Sequence, residues 1–199
     1  IKEFYDKKTD NISEDNYQFY ADYAFQVQKQ TQEEILRLVQ KYVAKTGIKK
    51  VCFAGGYALN VVTNSFLVKS LPHVEFYFEP ISDDTGITLG SSLIFHKKML
   101  GIIPQIPYHT FFNNINHDID KIEGKNVSEE EIARFLSHGK TVAVFNGQSE
   151  VGPRALGNRS LLYDARDPDA KKVVNKIKNR EWYRPFAAVV LEKDAKDYF

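Results

Sequence analysis

Residues 150–160, Glu-Val-Gly-Pro-Arg-Ala-Leu-Gly-Asn-Arg-Ser, concentrate the groups in this chain best suited to do chemistry. Arg154 and Arg159 carry permanently charged, forked donors that match phosphate or carboxylate oxygens. Gly152 and Gly157 let the backbone approach a ligand closely, and Asn158 and Ser160 add neutral hydrogen-bonding groups. The segment is too polar for a core element, so it reads either as an anion-binding loop or as a solvated basic turn.

The surroundings favour the anion. From Glu150 to Arg184 there are nine basic residues (Arg154, Arg159, Arg166, Lys171, Lys172, Lys176, Lys178, Arg180 and Arg184) against five acids, whereas the whole chain carries 27 against 26. A local positive excess in a nearly neutral protein suits a small anionic ligand. A long polyanion asks for a broader basic face, so nucleic acid is the weaker reading.

Two further constellations lie upstream. Gly55-Gly56 follows an apolar run and precedes a helical pattern, so free N–H groups would face one loop, with Asn60 one turn on. That suits a nucleotide phosphate or ribose, and equally a bare turn. Asp83-Asp84-Thr85-Gly86 also precedes a helical pattern. It reads as a helix cap, or as a carboxylate ligand for Mg²⁺ or a harder transition metal. His73, His96, His109, His117 and His138 show no metal-ligand spacing, and Cys52, inside an apolar strand, is expected in the core.

The elements that must position these groups alternate. Apolar residues at helical spacing predict a helix over Tyr17–Thr46, stopped by Gly47. Lys49–Ala54 reads as a strand, 57–67 as a helix, His73–Phe78 as a strand and 86–100 as a helix with Ile87, Leu93 and Ile94 on its apolar face. Prolines, asparagines and Gly124 break every period over 101–126, which predicts a connecting segment. Ser128 and Glu131 then form a capping-box pattern before a helix, and Thr141–Phe145 reads as a strand. Asp167-Pro168 is expected to open a helix running to Lys178, and Ala187–Leu191 to form another strand. Alternating strands and helices predict an α/β fold.

Composition bounds the rest. The 199 residues are 43% hydrophobic and 27% charged, which suits a soluble, globular chain able to bury a core. One cysteine excludes an intrachain disulfide and favours a reducing, cytoplasmic setting. No apolar run reaches membrane-spanning length. The chain starts at Ile1 and ends at Phe199 just after a strand-like run, and is expected to be an internal piece of a longer protein.

Val151–Leu162, followed by Ile-Lys-Asn-Arg-Glu-Trp-Tyr-Arg-Pro-Phe-Ala at 177–187, closely resembles the NodU/CmcH family of O-carbamoyltransferases. Phe-Ala-Gly-Gly-Tyr-Ala-Leu-Asn at 53–60 and Asp-Asp-Thr-Gly-Ile-Thr-Leu-Gly at 83–90 resemble that family's nucleotide-binding half. Order and spacing agree, and the resemblance spans roughly residues 45 to 191. It implies part of an actin-like (ASKHA, RNase H-like) domain over 1–105, a linker over 106–126 and part of a YrdC-like α/β domain over 127–199.

The implied reaction joins carbamoyl phosphate to ATP, giving carbamoyl adenylate, and then passes the carbamoyl group to a hydroxyl of a sugar, nodulation-factor-like or antibiotic-like acceptor. On the resemblance, Gly55, Gly56 and Asn60 line the adenylate site of the actin-like domain. Asp84 is a ligand of a divalent metal, Fe²⁺ or Mg²⁺. Arg154, Asn158, Arg159, Ser160, Lys178, Arg180 and Arg184 hold carbamoyl phosphate and ATP, with Arg154, Arg159 and Lys178 closest to the chemistry. The family pairs its aspartate with a His-x-x-x-His motif that this chain lacks, so each active site is expected to be incomplete here and the isolated chain inactive. A related threonylcarbamoyl or hydrogenase-maturation enzyme is the alternative within the superfamily. A non-catalytic nucleotide- or RNA-binding module is the alternative from another class, separable by a steep salt dependence of binding.

Overall fold

The computed structural model describes residues 12–105, 109–111 and 124–198, and the chain divides into two compact units, Ile1–Ile106 and Pro107–Phe199. Most of the expected connecting segment lies outside the described residues.

In the first unit, helix α1 (Tyr17–Thr46) ends where Gly47, in the left-handed region, donates its N–H to the Val43 carbonyl. Strands β1 (Lys50–Phe53) and β2 (Glu75–Phe78) pair in parallel, Lys50 opposite Glu75 and Phe53 opposite Phe78. Parallel neighbours require a crossover. It is made by a 3₁₀ turn (Gly56–Leu59) and helix α2 (Val61–Ser70). Val39 of α1 packs with Leu71 and Val74, and Ile35, Leu36, Val43, Val51 and Phe76 close around that cluster. Helix α3 (Asp84–Leu100) buries none of its residues, and Ile87 and Ile94 remain more than half exposed.

Cys52 is exposed rather than in the core. Its strand alternates, so Val51 and Phe53 turn towards packed neighbours while Lys50 and Cys52 take the opposite face.

The second unit holds helix α4 (Glu129–Ser137), strands β3 (Val142–Phe145) and β4 (Arg159–Leu162), helix α5 (Ala170–Ile177) and a short terminal helix α6 (Ala195–Tyr198). Ser128 caps α4 by accepting the Glu131 N–H at 3.2 Å, as the capping pattern predicts. β3 and β4 are antiparallel, Val142 opposite Leu162 and Phe145 opposite Arg159.

Three local expectations are corrected. The polar string is not all loop, because Arg159–Leu162 is a strand; pairing with β3 outweighs the polarity of its first two residues. Helix α5 begins at Ala170, since the Asp167 carboxylate is engaged by the Asp169 N–H at 2.8 Å and the Tyr163 hydroxyl at 2.6 Å, closing a turn ahead of the helix. Ala187–Leu191 forms no strand: no described segment pairs with it, and Val189 is 90% exposed. Among the described residues no helix is long and apolar enough to cross a membrane.

Candidate functional site

The string at 150–160 leads out of one strand pair and back into it. Beyond the β3–β4 ladder, the Asn146 N–H donates to the Asn158 carbonyl at 3.0 Å, and residues 147–157 arch between them. Glu150 organises the arch: Oε1 accepts the backbone N–H groups of Leu156 at 2.7 Å, Asn158 at 2.9 Å and Arg159 at 3.4 Å. Partial burial works against ionising this carboxyl, but the backbone N–H groups outweigh it and hold its pKa below the usual value. The Gly157 N–H donates to Ser160 Oγ at 2.9 Å, and Asn158 Nδ2 donates to the Gln148 carbonyl at 2.7 Å. The Val151 N–H donates to the Thr110 carbonyl at 2.7 Å.

Arg159 is turned into this frame. Its NH1 donates to the carbonyls of Asn146 (2.8 Å) and Asn158 (2.9 Å), and its NH2 donates to that of Gly147 (3.1 Å). The guanidinium carbon lies 3.5 Å from the centre of the Phe145 ring, a close cation–π contact. Nε is buried and has no partner among the described residues. Arg154, by contrast, is exposed on the arch.

The second basic cluster follows α5. Asn175, 1% exposed, donates Nδ2 to the carbonyls of Trp182 (3.1 Å) and Arg184 (3.0 Å), while Oδ1 accepts Arg180 Nε at 2.9 Å. Arg180 also donates NH2 to the Pro185 carbonyl at 3.1 Å and lies 4.6 Å from the Phe186 ring centre. Arg184 pairs with Glu181, which lowers the carboxyl pKa and raises that of the guanidinium. Lys178 ends α5, its backbone N–H donated to the Val174 carbonyl at 3.0 Å and its residue exposed. Arg154, Asn158, Arg159 and Ser160 thus share the arch and β4, and Lys178, Arg180 and Arg184 share the turn after α5.

In the first unit, Gly55 adopts φ 87 and ψ 160, a region open almost only to glycine, and a Cβ on either Gly55 or Gly56 would meet nothing within 4 Å. The glycines do not open a helix directly, because the 3₁₀ turn intervenes and Asn60 is the N-cap of α2. Asn60 Oδ1 accepts the Thr63 N–H at 3.1 Å, and Nδ2 donates to Gln28 Oε1 at 2.8 Å. At the next motif, capping falls to Asp83, which accepts the Thr85 N–H at 3.2 Å. Asp84 occupies the first turn of α3 and is exposed. Among the described residues no three His, Cys, Asp or Glu side chains converge, so Asp84 offers one carboxylate and not a complete metal site.

Glu150, Phe145 and Asn175 were not singled out by the sequence. A hint was present for Glu150, the only acid in a string otherwise rich in donors. Asn175 offers a fainter one, as a polar side chain next to Val174 on the buried side of a short helix.

Two family models match: the carbamoyltransferase N-terminus over residues 1–93 and the carbamoyltransferase C-terminus over residues 133–199. Nodulation protein NolNO of Sinorhizobium fredii is 30% identical over 197 residues, covering 92% of this chain and 29% of that protein. Nodulation protein U of Rhizobium fredii is 33% identical over 156 residues, covering 77% of this chain and 27% of its own length. An uncharacterized protein of Methanocaldococcus jannaschii is 27% identical over 217 residues, covering all of this chain and 34% of its own. The chain spans about a third of the length of these relatives.

Proposed function

We propose an activity from one premise, that this chain belongs to the NodU-like carbamoyltransferase family. The chain supplies parts of an ATP-dependent O-carbamoyltransferase. Residues 1–105 belong to an actin-like (ASKHA) domain that transfers the carbamoyl group, and residues 127–199 to a YrdC-like domain that makes carbamoyl adenylate: water cleaves carbamoyl phosphate to carbamate and phosphate, and the carbamate oxygen attacks the α-phosphorus of ATP, releasing pyrophosphate. A small hydroxyl-bearing acceptor then takes the carbamoyl group and AMP leaves.

The observation that carries this reading is the arch at 147–157, an internally bonded loop bearing an exposed arginine inside the segment matched by the carbamoyltransferase C-terminus. Charge moves onto phosphate oxygens during adenylate formation, and fixed cations lower its barrier because they need no reorganisation. Arg154 and Lys178 present exposed side chains for that work. Arg159 and Arg180 act first as framework, since Arg159 holds the carbonyls of Asn146, Asn158 and Gly147, and Arg180 holds the Asn175 side chain and the Pro185 carbonyl. Arg184 pairs with the exposed Glu181 and turns to a phosphate at little cost. In the first unit, Gly55 and Gly56 leave open space for a nucleotide, and Asn60 fixes the start of α2 beside them. Asp84 contributes one oxygen to a divalent metal, Fe²⁺ or Mg²⁺, and no group of three such ligands is complete among the described residues.

The test is carbamoyl-phosphate-dependent release of pyrophosphate from ATP by a version of the chain extended to its relatives' full length. Release is expected, and Arg154→Ala is expected to depress it with folding intact. Pyrophosphate release indifferent to carbamoyl phosphate would overturn the reading.

A further inference from the structure

Glu150 carries a charge opposite to the one its surroundings are proposed to attract. A free carboxylate beside an anion site repels the anion. Here its charge is engaged, because one oxygen takes the N–H groups of Leu156, Asn158 and Arg159, six to nine residues further along the chain. The remaining N–H in that stretch, of Gly157, is held by Ser160 Oγ. Every backbone donor from Leu156 to Arg159 is therefore already engaged within the chain and is not offered to a phosphate. Arg154 stands exposed on the loop that this carboxylate closes.

We propose that Glu150 is a positioning residue: its carboxylate draws residues 151–158 around itself and so fixes where Arg154 stands for a substrate phosphate. This rests on the anion-site reading given above, and the test separates the two. The chain, labelled with ¹⁵N, is titrated with inorganic pyrophosphate while amide exchange is followed at Leu156 and Asn158, with Val144 and Leu162 reporting the β3–β4 fold. In the unsubstituted chain the two arch amides are expected to exchange slowly, and pyrophosphate to shift signals of the arch. Glu150→Ala is expected to speed exchange at both amides and weaken pyrophosphate binding, each by about tenfold or more. Glu150→Gln keeps an accepting oxygen and is expected to retain most of both. Arg154→Ala is expected to lose pyrophosphate while the arch stays protected.

Unchanged protection of Leu156 and Asn158 in Glu150→Ala would overturn the proposal, and so would lost protection with undiminished pyrophosphate binding. If Val144 also loses protection in that variant, Glu150→Asp takes its place. It keeps the charge but shortens the reach, and full pyrophosphate binding with an unprotected arch would again overturn the proposal. Failure of the unsubstituted chain to bind pyrophosphate would overturn the anion-site reading itself, and this role with it.

Discussion

The two arginines of the string look alike in sequence and differ in exposure. Arg159 holds three carbonyls and the Phe145 face, whereas Arg154 is exposed. In the extended enzyme, Arg159→Ala is expected to slow pyrophosphate release by an amount on the order of 2–3 kcal/mol, the scale of lost charge-assisted hydrogen bonds. Arg159→Lys keeps the charge but not the fork, and is expected to fall nearly as far. Rescue by lysine would show that the charge acts on substrate. The Glu150 carboxyl gives a pH test. Because its folded pKa lies below the ordinary value, its stabilisation of the arch is complete above the ordinary glutamate range and is lost as pH falls through the lowered folded value. Amide shifts of Leu156 and Asn158 should titrate in that acidic window. Asp164, held at about 2 by its side-chain pair with Arg166, should remain largely ionised until pH falls close to that value. Asp84→Ala is expected to lose bound metal and acceptor carbamoylation in the extended enzyme while keeping adenylate formation; metal analysis that finds no change would leave Asp84 a first-turn helix residue only.

Helix entry is where the first unit is most sensitive. Gly86 lies in the first turn of α3, and a Cβ there would sit 2.0 Å from the Ile81 carbonyl oxygen. Backbone cannot yield as a flexible side chain does, so Gly86→Ala is expected to destabilise the first unit by about 1–3 kcal/mol or more, read by denaturant unfolding with amide protection at Val51 and Phe76. Asn60→Ala removes the cap of α2 and the tie to Gln28, and is expected to cost about 1 kcal/mol. Because each unit has its own strand pair, neither change should move protection at Val144 or Leu162.

At the scale of the whole chain, the outstanding fact is how much apolar surface stays uncovered. No residue of helix α3 is fully buried, and Phe25, Ile48, Val61, Phe95 and Met99 are each more than half exposed. Exposed apolar patches of this kind mark surfaces that bind something. The isolated chain is expected to bind a hydrophobic dye, and that signal should fall in the version extended to full length. Catalysis by positioned charges needs a complete, preorganised set of groups. The isolated chain is accordingly expected to release no pyrophosphate from ATP and carbamoyl phosphate, a result an enzyme-coupled pyrophosphate assay would check.

Local signals in the sequence were strong where physics is local. The helix over Tyr17–Thr46, its Gly47 stop and the Ser128 cap follow from apolar spacing, a left-handed residue and a short hydroxyl side chain. Both strands of the first unit were legible as apolar runs, and the motif strings pointed to the family. What depends on partners was not legible. Arg159–Leu162 becomes a strand because β3 lies beside it, whereas Ala187–Leu191 finds no strand partner among the described residues. Cys52 faces out because strand alternation, not residue type, chose its side. The division of labour among the arginines, and the Glu150 carboxylate that closes the arch, were decided by contacts six to thirteen residues apart. Composition lists which groups can bind an anion, but only the folded chain determines which of them are already engaged in holding the loop.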